Sequence, residues 1–211
     1  MNSSLIPLAL AILLILPGCS GEQRVSAIRE KATHGDARAQ GLMGEMYANG
    51  DDVQKNYGEA ARWWRTSAEG GLAQAQYNLG VLYEHGQGVP RSDAQAAEWY
   101  GRAARQGLAA AEFNLGVLYE HGRGVPANPA EAAAWYKKAG DQGHADAQFN
   151  LGAIYARQQR PADAYFWLSL VAKTGDHDAE RLRDQMAARL PAAQADEIRH
   201  RADNWRATVS G

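Results

Sequence analysis

The 211-residue sequence predicts an all-α fold: an α-α superhelix, a right-handed solenoid of about four helix-pair repeats with helical caps. Three series with one period predict it. Gly35, Gly71, Gly107 and Gly143 are 36 residues apart, and so are Gly44, Gly80, Gly116 and Gly152. Tyr47, Tyr83, Tyr119 and Tyr155 keep the same step. Self-similarity of this length marks supersecondary units that cannot bury an apolar face alone and must stack. Trp63, Trp99 and Trp135 continue the spacing, while Trp167 follows after 32 residues, so the fourth unit is four residues shorter, in its internal loop around Arg157 to Arg160.

Each unit reads as two helices. In the second, Ala75, Leu79, Leu82 and Tyr83 fall on one helical face. Gly86 is the stop, and Gln87-Gly88-Val89-Pro90 the loop. Ser92 with Gln95 predicts a capping box, repeated as Asn56 with Glu59 and Asn128 with Glu131, and Pro129 suits a first helical position. Ala96, Trp99 and Ala103 share a face of the second helix, which Gly107 ends. The short link that follows makes neighbouring helices antiparallel. The expected core comprises Gly44, Tyr47, Trp63, Leu79, Gly80, Tyr83, Trp99, Leu115, Gly116, Tyr119, Trp135, Leu151, Gly152, Tyr155 and Trp167. In this reading the small residues let helix backbones approach, and the Trp and Tyr rings fill the rest. Val25, Ile28 and Ala32 predict a cap helix in front. Ala179, Leu182, Met186 and Leu190, then Ala195, Ile198, Ala202 and Trp205 after Pro191, predict two behind. The organisation is therefore 1–18 signal peptide, 19–34 tether and cap, repeats at 35–70, 71–106, 107–142 and 143–175, and closing helices at 176–211.

The N-terminus differs in kind. Leu5 to Leu16 is apolar apart from Pro7, too short to span a bilayer and of signal-peptide length, though no charged residue precedes Glu22. Leu16-Pro17-Gly18-Cys19 resembles a bacterial lipobox, with Pro17 an unusual occupant. The resemblance implies a lipid on Cys19, the chain's one cysteine, and Ser20 after it resembles outer-membrane sorting. The expectation is an exported, periplasm-facing lipoprotein of the outer membrane; the alternative is an ordinary secretory signal.

Composition narrows the function. A net charge of -2 gives no electrostatic footprint for nucleic acid and no polybasic membrane-binding segment. One cysteine permits neither an internal disulfide nor a cysteine-based zinc site. None of the six histidines forms H-E-x-x-H. Glu84-His85 and Glu120-His121 point about 100° apart on a helix, and a histidine in a last turn is favoured by the helix dipole. Gly-x-Gly in the loops follows a helix, not a strand, so it reads as a turn rather than a phosphate cradle. G-x-S-x-G and S-x-x-K are missing. The expectation is no metal, no cofactor and no catalytic residue.

The pattern Ala75, Leu79-Gly80, Tyr83, Gly86-Gln87-Gly88-Val89, Ala97, Trp99-Tyr100, Gly107, matched as closely from Ala111 to Gly143, resembles the Sel-one-like repeat (SLR), a relative of the tetratricopeptide repeat. The resemblance covers roughly Ala32 to Asp176. The first unit departs at Gly41, Asp52 and Trp64, and the fourth lacks the loop glycines. It implies an α-solenoid acting as adaptor or scaffold for another protein or peptide. A cysteine-rich branch associated with weak β-lactam binding or hydrolysis implies the alternative, a β-lactam or cell-wall directed hydrolase, but this chain has no cysteine after Cys19. Self-association into an envelope scaffold is a third reading. By analogy with the tetratricopeptide arrangement the first helices line the concave face, giving a candidate contact row of Tyr77, Val81, Glu84, His85, Phe113, Val117, Glu120, His121 and Phe149. It suits a peptide with apolar anchors and basic neighbours; equally, its aromatics could pack between adjacent first helices.

Overall fold

The computed structural model describes residue 5 and residues 20–208. The lipobox, Cys19 and all of the apolar run except Leu5 lie outside the described residues. Among the described residues every regular element is an α-helix: α1 (Gly21–Thr33), α2 (Ala37–Asn49), α3 (Tyr57–Glu69), α4 (Ala73–His85), α5 (Asp93–Ala104), α6 (Ala109–His121), α7 (Pro129–Asp141), α8 (Ala145–Arg157), α9 (Pro161–Ala172), α10 (His177–Ala187) and α11 (Ala192–Asp203). From α1 to α10 each helix packs chiefly on its neighbours in sequence, so the fold is an all-α solenoid. Four pairs, α2/α3 to α8/α9, form the array. Helix α1 fronts it with Val25, Ile28 and Ala32 turned inward, and α10 and α11 both close on α9. Helix α9 is therefore buried along its whole run from Ala164 to Ala172.

The helix starts follow from their side chains. Asn56, Ser92 and Asn128 cap α3, α5 and α7, each oxygen accepting from backbone N–H groups in the first turn. Among the described residues the complete capping box is at Ser20 and Gln23, which opens α1. This corrects the boxes expected at Asn56, Ser92 and Asn128, whose own N–H groups donate instead to the carbonyls of Tyr47, Tyr83 and Tyr119.

The glycine at 44, 80, 116 or 152 chiefly admits a side chain, with facing backbone close behind at Gly116 (Ala132 carbonyl oxygen, 3.4 Å) and Gly152 (Leu168 N, 3.5 Å). A Cβ on Gly80 would lie 2.7 Å from the Tyr100 ring, and one on Gly116 2.8 Å from the Tyr136 ring. On Gly44 it would meet Trp64 at 2.4 Å, and on Gly152 it would meet Leu168 at 2.7 Å. Trp64, Tyr100, Tyr136 and Leu168 are all completely buried. This corrects the expected core, in which the preceding residue filled the space. Trp99 and Trp167 are buried, but Trp63 and Trp135 are only half-buried, as are Tyr47, Tyr83, Tyr119 and Tyr155. A one-residue step turns a side chain about 100° around the helix, so one of two adjacent aromatics enters the slot and the other lies along the rim. Arg102 and Lys138 cover the faces of Trp99 and Trp135 at 4.3 and 4.0 Å.

The loop glycines lock one unit onto the last. Gly88 has φ +68°, and a Cβ there would sit 2.2 Å from the Tyr57 carbonyl carbon at the start of α3. Gly124 meets Asp93 at the start of α5 in the same way. In the first unit the arrangement is inverted. Asp52 holds the positive φ, and Gly21 of α1 supplies the room. The Asp52 carboxylate lies against the N-terminus of α1, where the dipole favours it, and pairs with Arg24.

Candidate functional site

The residues of the expected contact row divide into three groups. Tyr77, Val81, Phe113 and Val117 are buried, which corrects the expectation that they offer open surface. Tyr77 packs on Tyr100 with centroids 5.5 Å apart, and Phe113 on Tyr136 at 5.7 Å, because the ring seated over each glycine also touches the aromatic three residues before it. Phe113 stacks on His144 at 4.6 Å. Burial pushes the Tyr77 hydroxyl up to about 12. Burial likewise pushes the His144 imidazole down, and its Nδ1 accepts the Ala147 N–H as the cap of α8.

Glu84 and Glu120 form the second group. The Tyr100 hydroxyl donates to Glu84 at 2.7 Å, and the Tyr136 hydroxyl to Glu120 at 2.8 Å. An arginine of the next unit completes each: Arg123 reaches Glu84 at 3.1 Å and Arg157 reaches Glu120 at 2.9 Å. Arg123 also pairs with Asp93 at 3.1 Å, and its hydrogen bond holds that carboxyl below the usual range. Burial, then the hydrogen bond to Glu120, raises the Tyr136 hydroxyl. These glutamates thus brace the stack from within. His85 and His121 are exposed at the ends of α4 and α6.

Phe149 stands apart. It is half-buried on α8, and beside it Asn150, its Nδ2 buried, lies by the Tyr136 hydroxyl. The counterpart one unit earlier, Asn114, donates to the Tyr77 hydroxyl at 3.5 Å. Asn78, Asn114 and Asn150 are themselves 36 apart, a series the reading for core and contact residues passed over. Arg123 and Arg157 were missed because their partners stand in another unit. Among the described residues no helix is long and apolar enough to cross a membrane, and no group of three His, Cys, Asp or Glu is gathered as for a metal.

A stack of short antiparallel helix pairs, locked unit to unit and presenting the first helix of each pair along one face, defines the helical-repeat solenoids. The family model of the Sel1 repeat matches residues 37–72, 73–108, 109–144 and 145–176, and the chain belongs to that family. Its members are in general protein–protein interaction modules. Among solved structures, the chain is similar to a protective antigen of uropathogenic Escherichia coli displaying an SLR fold, at 30% identity and a TM-score of 0.76. The match covers 87% of this chain and 41% of that one, so this chain spans less than half of the antigen. It is also similar to a Sel1 repeat protein of Oxalobacter formigenes, at 29% identity and a TM-score of 0.70, covering 86% of this chain and 77% of that one. No curated protein matches the chain.

Proposed function

We propose that the chain is a cell-envelope adaptor, exported and tethered through a lipid on Cys19, that holds another protein against the face built by its first helices. The observation that carries this reading is the run of four Sel1 repeats, a family whose members are in general protein–protein interaction modules. Phe149, half-buried on α8, is the aromatic of the first-helix row that keeps part of its ring at the surface. The partner is a peptide segment with an apolar side chain for Phe149. The Glu120–Arg157 pair provides charge at the rim of the site. The tether would be short, since α1 begins at Gly21, directly after its cap Ser20. An anchored array would therefore stand with its first unit near the membrane.

A photo-crosslinking amino acid at position 149, compared with one at the exposed Glu131 of α7, tests the face. In envelope extract position 149 should trap one discrete partner. Equal labelling from both positions would sink the proposal. Cys19→Ser should move the protein from the membrane to the soluble fraction; an unchanged distribution would sink the tether.

A further inference from the structure

At one position of the first helix the four units carry Gln40, Gln76, Glu112 and Gln148. The three glutamines share one task. Each Nε2 donates to a carbonyl eight residues earlier: Gln40 to Ala32 at 3.0 Å, Gln76 to Ala68 at 3.0 Å, Gln148 to Gly140 at 2.9 Å. Those carbonyls close the helix before the unit, and each also accepts the N–H of the glycine three residues on. Gln76 has a second task, since its Oε1 accepts from Gln106 Nε2 at 2.8 Å. An amide suits both tasks because it carries a donor and an acceptor side by side.

Glu112 holds this position in the third unit and is only 4% exposed. Its Oε2 accepts from Gln142 Nε2 at 2.8 Å, the counterpart of the Gln106 bond. The counterpart carbonyl is that of Ala104, which accepts the Gly107 N–H at 3.0 Å as in the other joints. An ionised carboxylate has acceptors only and cannot serve that carbonyl. A neutral carboxyl reproduces the amide, with one oxygen accepting and the other donating.

We propose that Glu112 is held as a neutral carboxyl whose O–H donates to the Ala104 carbonyl, so that the joint between units two and three is closed by a proton and loosens when the proton is lost. The charged groups that bear on Glu112 are Lys138 and Asp141, of opposite sign and both on α7. Burial pushes the carboxyl up, the Gln142 hydrogen bond and Lys138 oppose it, and Asp141 adds to it. A carboxyl raised in the fold stabilises fully below the ordinary carboxylate range, and that contribution is lost as pH rises through the folded value.

Glu112→Gln installs the amide permanently. Melting of the whole chain and of this variant is compared from about pH 4 to about pH 8, bracketing the ordinary and raised carboxyl ranges. The curves should coincide at the acid end, and the variant should melt higher at the alkaline end, by about 2–4 °C. A carbon-13 titration of the side-chain carboxyls, with the Glu112 signal assigned by its loss in the variant, should show Glu112 losing its proton last among the glutamates. A variant no more stable than the parent at the alkaline end overturns the proposal. So does a Glu112 signal that titrates with the others, and that signal can be assigned from the parent chain if the variant does not fold.

Discussion

The two inner units of the array and the two outer ones build the same joint from different side chains. In units two and three a tyrosine sits over the glycine, and its hydroxyl is met by a glutamate four residues after that glycine: Tyr100 over Gly80 with Glu84, Tyr136 over Gly116 with Glu120. In unit one the side chain is Trp64, and the glutamate position holds Ala48; in unit four it is Leu168, and the position holds Ala156. A buried hydroxyl needs a partner, so the glutamate is present where the tyrosine is and gone where it is not. Volume follows the same logic. The large Trp64 stands where Gly41 replaces the aromatic of the later units, and its indole N–H donates to the Gly41 carbonyl at 3.0 Å. The motif therefore specifies a slot and a compensating neighbour rather than a residue.

This contrast can be broken at several depths. Trp64→Ala empties the largest slot and should cost about 3–5 kcal/mol, whereas Trp63→Ala, at a half-buried neighbour, should cost less than half as much. Thermal or urea melts of the two variants compare them directly. Gly88→Ala presses a methyl onto the start of α3 at a positive φ, and overpacking of this kind costs about 1–3 kcal/mol; the same substitution at Gly71, where a Cβ meets nothing within 4 Å, bears only the cost of its φ. Tyr100→Phe should cost about 1.5–3 kcal/mol, the scale of a hydrogen bond to a charged group. Pairing Tyr100→Leu with Glu84→Ala, as unit four does, should recover part of the loss of Glu84→Ala alone, in a double-mutant cycle that shows non-additivity. Arg123→Gln is the mildest, at most about 1 kcal/mol for a partly exposed pair. Asp93, held low by Arg123, stabilises above the ordinary carboxylate range, and that contribution fades as pH falls through its lowered value. The stability gap between Arg123→Gln and the parent should accordingly narrow in acid, as the Glu112→Gln gap does, but with the opposite sign: away from acid Arg123→Gln is the less stable chain and Glu112→Gln the more stable.

The solenoid was legible because a period of 36 repeats in glycine, tyrosine and tryptophan together, and no local propensity had to be weighed to see it. The caps were legible too, from Asn56, Ser92 and Asn128. The identity of the slot residue was not. Trp63 and Trp64, or Trp99 and Tyr100, are adjacent and similar in bulk, and which one turns inward is set by the facing helix. The contact row was misjudged for a related reason. Tyr77 and Phe113 lie on the face away from Leu79 and Leu115, and their burial depends on rings from the second helix that a single-helix reading leaves out. Phe149 keeps its half-open setting where the slot residue is Leu168, with no ring to cover it.

The loops give the stack a direction. Gly88 of unit two rests on unit one, Gly124 of unit three on unit two, and Asp52 of unit one on α1. Every latch reaches back towards the N-terminus, so a unit needs only what was synthesised before it in order to dock. A chain that emerges N-terminus first can thus set its register in the order of its translation. A truncation from the C-terminal end would leave these latches intact in the units that remain, whereas one from the N-terminal end would leave the next loop with nothing to rest on.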